Sequence, residues 1–347
     1  MNTRATRLLS LLVACLGVAG LTACGNLSNE DLIFLSALPD KATLALKAPG
    51  ANYGQDRAGS QTQGLGACTD DNLRCLAGSV STAINTGTFA VLDLVDNIAH
   101  GYAPTRRAAN LRVWGPVHVL RDNISLRFEI HRVLSADSDQ FSYCLHAMRG
   151  AFDKELADDI TCDTEVDDSG LVRVLYGSYT PSEPQGGART GSGSLTLDLN
   201  AVRGAGMGKV DDQGRLTIDY VQVGGDVHLE VQVREVHEEG TLLPSSADYS
   251  YDGKADGSGE MCFVVNADFV AGFIFSSLEQ LSICAQWQSC GAGRADATIR
   301  GGDLVSTEIF ATQCWACELA TTYYDDSDDQ HPTQGDAASC VFDAPLP

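Results

Sequence analysis

Basic residues are scarce in this chain: 23 Lys and Arg stand against 46 Asp and Glu, a formal net charge of −23 over 347 residues. So acidic a chain is repelled by nucleic acid and by anionic lipid head groups, and neither is an expected partner. The apolar stretch from Leu8 to Ala19 is too short for a bilayer span, which needs about 20 residues. Local catalytic signatures are also missing. No Gly-x-Ser-x-Gly nucleophile elbow occurs; Gly191-Ser192-Gly193 and Gly257-Ser258-Gly259 lack the spacing and read as turns. His237-Glu238-Glu239 begins like a zinc-protease motif, but residue 241 is Thr where a second His is required. Gly204-Ala205-Gly206-Met207-Gly208-Lys209 is neither a P-loop nor a dinucleotide fingerprint. The His residues are scattered, and His118, His131 and His228 fall on polar strand faces as solvated groups. These absences argue against an enzyme and imply no cofactor.

What is present begins at the N-terminus. Arg4 and Arg7 precede the apolar run, the layout of a secretory signal. Leu21-Thr22-Ala23-Cys24 follows directly and resembles the lipobox of bacterial lipoproteins. That resemblance implies a signal peptide over residues 1–23, cleavage between Ala23 and Cys24, and acyl chains such as palmitate on Cys24. Membrane attachment then comes from the lipid, at about 0.8 kcal/mol per buried CH₂, because the charge of the chain gives none. Residue 25 is Gly. In the lipoproteins this resembles, Asp at that position favours the inner membrane, so the expected location is the outer membrane, on its periplasmic or cell-surface side.

Cysteine usage points to export independently. Of 12 Cys, Cys15 leaves with the signal and Cys24 takes lipid, leaving Cys68, Cys75, Cys144, Cys162, Cys262, Cys284, Cys290, Cys314, Cys317 and Cys340. An even set in an oxidising compartment reads as a disulfide framework. Full connectivity is not deducible from sequence, but short separations favour Cys68 with Cys75, Cys144 with Cys162, and Cys314 with Cys340.

Ser28 and Asp31 are spaced as in a capping box and predict a short helix ending before Pro39. The Gly-rich polar stretch from 48 to 67 predicts a flexible linker, so residues 24–67 read as a lipid-anchored tether and 68–347 as the globular part. From 79 to 100, Val80, Ile84, Val91, Val95 and Ile98, with Thr88 in register, recur at helical spacing. That is a long amphipathic helix, packed on a sheet or serving as a lid. After Pro104 the period becomes two, most clearly in 124–131, 195–199 and 227–234, and Gly224-Gly225 marks a hairpin. Further segments at 111–120, 141–148, 171–179, 261–270, 281–288, 295–301 and 305–313 bring the count to roughly ten strands without helical crossovers. The expected fold is mainly β: a large curved antiparallel sheet, half-barrel or barrel-like, with one long helix and a short N-terminal one.

Two motifs carry possible chemistry. In 248–256, Asp248, Ser250, Asp252 and Asp256 place oxygens around Gly253 roughly as a calcium loop does, although residue 259 is Gly where Glu is needed. An acidic hairpin turn is the simpler reading, with no metal. Cys314-Trp315-Ala316-Cys317 has redox-pair spacing, but its β-rich, acidic surroundings suit two structural half-cystines.

Three stretches together resemble uncharacterised lipoproteins of large-genome bacteria related to the myxobacteria. They are Glu30 to Pro39; Pro104-Thr105-Arg106-Arg107 leading to Trp114-Gly115-Pro116; and Gly291 to Asp296 leading to Gly301-Gly302-Asp303 and Cys314-Trp315. The resemblance implies a lineage-specific envelope protein and names no site. The expected role is a non-enzymatic binding or structural lipoprotein. A carrier of a lipid or hydrophobic ligand is the first alternative, and a hydrolase built from acidic residues the second.

Overall fold

The computed structural model describes residues 27–39, 41–48, 72–119, 123–135, 138–152, 161–164, 170–182, 190–204, 214–236, 245–268, 277–302, 304, 308–327 and 332–342. Ala23, Cys24, Cys68, His237 and Asp303 lie outside them. Strands dominate, and their order in the sheet is their order in the chain, β1 to β15. The expected class therefore holds: an antiparallel meander with one long helix and a short capped N-terminal helix. Strand order is linear, so among the described residues the sheet is not a closed barrel.

The chain divides into two compact units. The first comprises residues 12–44 and 88–224 and carries α1 (Asn29–Leu35), α2 (Lys41–Leu44), β1 (Arg106–Ala108), β2 (Leu111–Val119), β3 (Ile124–Val133), β4 (Gln140–Arg149), β5 (Val172–Pro181), β6 (Gly191–Asp198) and β7 (Arg215–Val223). The second comprises residues 45–87 and 225–347 with β8 (Asp226–Val236), β9 (Ser245–Gly253), β10 (Gly259–Ala267), β11 (Glu279–Trp287), β12 (Gly293–Gly301), β13 (Glu308–Trp315), β14 (Thr321–Asp326) and β15 (Gln334–Gly335). Helix α3 (Leu73–Gly101) contributes its first half to the second unit and its remainder to the first. Gly224 and Gly225 both take positive φ, as the predicted two-residue turn requires.

Helix α3 starts at Leu73, six residues before its predicted start, because Asn72 caps it: its Oδ1 accepts the Cys75 N–H at 2.9 Å. Val80, Ile84, Thr88, Val95 and Ile98 are all buried, as their spacing predicted. Within the second unit the helix packs on the inward face of the sheet, where the Ser81 hydroxyl meets the Tyr249 hydroxyl at 2.8 Å. Asn85 holds down the segment that precedes the linker. Its amide accepts from Leu46 N–H at 2.8 Å and donates to Leu46 C=O at 3.0 Å, copying a strand pairing with a side chain. The Lys47 N–H donates to the Tyr251 hydroxyl, whose burial pushes its pKa up to about 12 and keeps it protonated. Residues 28–48 are thus docked parts of the fold: Phe34, Leu35, Ala37, Leu44, Leu46 and Ala48 are all buried.

Four strands, β1, β9, β14 and β15, were not predicted. β9 is the instructive one, since it contains most of the calcium-like stretch. Its burial alternates without a break from Ser245 to Gly253, with Ala247, Tyr249 and Tyr251 inward and Asp248, Ser250 and Asp252 outward.

A recurrent contact sets the strand register. Tyr143, Tyr220, Trp287 and Trp315 lie directly across from Gly177, Gly193, Gly259 and Gly293. Each ring covers its glycine so closely that a Cβ has no room; at Gly293 it would stand 2.5 Å from the Trp315 ring. Three of the rings also donate from their polar tips to backbone carbonyls. Tyr143 reaches Ser194 at 2.7 Å, Trp287 reaches Gly257 at 3.1 Å and Trp315 reaches Gly291 at 2.7 Å. The Gly-x-Gly segments that read as turns therefore also supply seats for aromatic rings. Gly293→Ala is expected to lower the unfolding free energy by about 2 kcal/mol through overpacking. Urea denaturation measures it, and in Gly293→Ala/Trp315→Leu the combined cost should be less than the sum of the single costs, because the ring that clashes is gone.

Candidate functional site

The most concentrated set of ionisable side chains lies in the first unit, on the face of β3 and β4 that alternation predicts to be solvated. Period-two geometry puts Arg127, Glu129 and His131 of β3 on one face with Cys144 and His146 of β4. Register then sets Arg127 opposite His146 and Glu129 opposite Cys144. This polar face is buried: Arg127 is 3% exposed, Glu129 1% and His146 0%. The reason is tertiary. Residues 161–164, between β4 and β5, lie against the face and are fastened there by the Cys144–Cys162 disulfide.

Within the cluster, Arg127 Nη2 donates to Glu129 Oε2 at 3.4 Å, and His131 Nε2 stands 3.5 Å from the same oxygen. Cys144 Sγ lies 3.3 Å from Glu129 Oε1 and 3.8 Å from His146 Nδ1. His146 Nε2 lies 2.9 Å from the Thr164 carbonyl of the covering segment. A carbonyl only accepts, so Nε2 carries the proton and, in the neutral ring, Nδ1 is a bare acceptor. Burial pushes the His146 pKa below its usual 6.5, outweighing the Thr164 carbonyl and Glu129, which favour the charged ring. Arg173, opposite His146 on β5, donates to the Cys162 carbonyl at 2.6 Å and completes the attachment.

Two overlapping ligand sets, Glu129 with Cys144 and His146, and Glu129 with His131 and Cys162, each gather within 4.8 Å. Their sulfurs are bonded to each other, however, and the sulfur ligand that metals take is a thiolate. In the oxidised protein the set is a buried polar network that pins a loop, and no nucleophile within it is poised for attack.

A second ionic centre ties α1 to the sheet. The capping-box residue Asp31 is fully buried and receives Arg112 Nε at 2.6 Å and Arg107 Nη2 at 3.1 Å. Burial by itself would raise its pKa. Arg107, the Ser28 N–H, Arg112 and the Ser28 hydroxyl outweigh that and hold it well below the usual carboxylate range. Arg112 also stacks over the Phe34 ring at 4.4 Å, and Phe34 meets Phe141 edge-on at 6.3 Å. Two stretches singled out in the sequence, Glu30 to Pro39 and Pro104 to Pro116, thereby become one structural joint.

The remaining candidates separate. Asp248 pairs with Arg234, Asp252 with His228 at 3.0 Å, and Asp256 accepts from the Ser258 hydroxyl at 2.6 Å. Asp248 and Asp252 are four residues apart on a straight strand, about 13 Å, too far to share one ion. Cys314 pairs with Cys340, as short separation suggested, and Cys317 with Cys290, so the Cys-x-x-Cys motif is split between two bridges. Cys262 bonds Cys284 directly across β10 and β11. Cys75 is also oxidised. This framework fits folding in an oxidising, exported environment. His118 is exposed beside Ser125, as predicted, whereas His131 is largely buried against Glu129. A groove of about 460 Å³ opens between α1, α2 and the C-terminal half of α3, with an apolar floor that includes Leu35, Leu38, Leu92 and Val95 and with Lys41, Asp93, Asp96 and His100 also in its lining.

Sequence reading missed Asp31, Arg127, Glu129 and His146 as a buried charged set. The available signal was weak: three ionisable residues in alternation on β3, facing Cys144 and His146 on the next strand.

Acidification tests both centres. The unfolded chain binds a proton at residue 146 below pH 6.5 more readily than the fold does, so stability is full above 6.5 and declines as pH falls, by at most about 1.4 kcal/mol per unit. His146→Gln should flatten the decline between pH 6.5 and 4 in denaturant titrations. The contribution of Asp31 is present above its unfolded value of 3.8 and is lost on further acidification. Asp31→Asn should cost about 3 kcal/mol at pH 7, because it leaves the Arg112 charge buried with its main partner gone. No known protein family, curated protein or solved structure matches the chain.

Proposed function

We propose that this chain is an exported lipoprotein, held at a membrane by acyl chains on Cys24, that serves as a non-catalytic structural or binding component of the cell envelope. One observation carries the reading: every described cysteine is in a disulfide. Thiols that oxidise so completely belong to a chain that folds outside the reducing cytoplasm. The Leu21-Thr22-Ala23-Cys24 pattern then supplies both the route out and the attachment. The outer membrane is the location that Gly25 favours.

The other two readings have less support. A carrier needs an open apolar interior, and in the second unit the inward face of the sheet is taken up by the protein's own α3, through Ala77, Val80, Ser81 and Ile84. The groove beside α1 is the place where a hydrophobic ligand would fit, since its volume lies in the range of small-molecule sites. A hydrolase needs two carboxylates converging in a cleft; Asp252 and Glu260 do face each other across β9 and β10 in a depression of about 110 Å³, but Asp252 is engaged by His228 and Glu260 by Gln286.

Metabolic labelling with fatty acid, followed by fractionation, tests the anchor. The wild type should carry label and sediment with membranes, and Cys24→Ala should lose the label and appear in the soluble fraction. An unlabelled wild type would overturn the proposal.

A further inference from the structure

We infer that the outward side of α1 lies against the bilayer that holds the anchor, so that the protein is attached by an apolar surface as well as by its lipid. The inference rests on the lipoprotein reading and deepens it. Four residues lie between Cys24 and Asn29, the first residue of α1. However those four are arranged, the five steps from Cys24 to Asn29 reach at most about 18 Å. A lipid on Cys24 therefore keeps α1 within that distance of the membrane surface at all times.

The side of α1 turned away from the protein suits that position. Asp31, Phe34 and Leu35 face inward and are buried. Leu32 and Ile33 face outward, 50% and 43% exposed, an unusual pairing on a helix of seven residues. The strand on which α1 packs adds Val133 and Leu134 at its end, 59% and 69% exposed. These four make up half of the eight large hydrophobic side chains that the described structure leaves exposed.

Local charge is partly compensated: Asp31 is enclosed by Arg107 and Arg112, and Glu30, whose side chain is 82% exposed, lies 3.1 Å from Arg112, so its carboxylate stays in the aqueous head-group layer while Leu32 and Ile33 meet the apolar one. The acidic character of the whole chain gives no electrostatic attraction to anionic lipid, so the contact has to be apolar and to depend on the proximity that the anchor enforces. The joint of Asp31 with Arg107 and Arg112 has a matching role: it fixes α1 rigidly to the sheet, so the orientation of the helix sets that of the first unit.

Tryptophan substitution with brominated lipid tests this directly. The three native Trp residues, Trp114, Trp287 and Trp315, are buried at 0%, 3% and 1% exposure and form a nearly constant background. Lipidated Leu32→Trp protein, and separately Ile33→Trp, would be reconstituted in phosphatidylcholine vesicles with and without brominated acyl chains. The emission of the added Trp should fall about twofold or more in brominated vesicles, as expected for a side chain at the head-group and acyl boundary. Labelled, vesicle-bound protein with no quenching at either position would overturn the inference and leave the anchor standing. Absence of fatty acid from Cys24 would overturn both, because the limit on reach disappears with the lipid.

Discussion

Close contact between aromatic rings and cross-strand glycines is the interaction on which this β structure most depends. In a meander each strand is aligned only by its chain neighbours, and a slip of one residue turns every side chain to the wrong face. Seating Tyr143 on Gly177, Tyr220 on Gly193, Trp287 on Gly259 and Trp315 on Gly293 removes that freedom, because each ring fits only where the facing strand has no Cβ. The hydrogen bonds from Tyr143, Trp287 and Trp315 to nearby carbonyls satisfy polar groups that would otherwise be costly to bury. With register fixed, the inward face presents the apolar surface on which α3 packs, and the outward face brings Cys262 opposite Cys284.

The same register produces the buried polar cluster. Arg127 and Glu129 are placed opposite His146 and Cys144 by strand pairing, and the Cys144–Cys162 bond then holds residues 161–164 against them. Such a network favours one arrangement of the loop, since each wrong arrangement leaves a buried charge without its partner. Its chemistry is consistent with a structural role: the sulfurs are oxidised and the carboxylate is engaged by Arg127. The joint at Asp31 works in a similar way, with two guanidinium groups compensating one enclosed carboxylate, and its Arg112 stands opposite Ile130, the neighbour of Glu129 on β3. Both centres hold elements in place: one fastens residues 161–164 to the sheet, the other fastens α1.

Much of the architecture was legible because it follows from local periodicity. Helical spacing from Val80 to Ile98 identified α3, alternation identified most strands, and Gly224-Gly225 identified a hairpin. Cys144 with Cys162 was legible from a separation of 18 residues, and Cys314 with Cys340 was also named, but Cys262 with Cys284 was not, although its 22 residues are fewer than the 26 of Cys314 and Cys340. The failures occurred where one pattern served two purposes. Asp248 to Asp256 matched the oxygen spacing of a calcium loop, yet the alternation of Ala247, Tyr249 and Tyr251 with polar residues was the stronger signal, and β9 is a strand. The residues before Ala48 include the apolar run Leu32 to Leu35 and the pair Leu44 and Leu46, but nothing in that run names the surface it meets, and only the amide of Asn85 shows how Leu46 is held.

By itself, then, the sequence determined the composition of the faces: which residues alternate, where turns can form, which cysteines are available to oxidise, and the net charge. These depend on neighbours within a few positions and need no fold to be read. Tertiary structure alone decided which polar face is solvated and which is covered. Glu129 and Glu230 occupy equivalent polar positions in alternating strands, yet one is 1% exposed and the other has a side chain 47% exposed. The difference is residues 161–164, held against β3 and β4 by the Cys144–Cys162 bond; the alternation of β3 does not encode that covering.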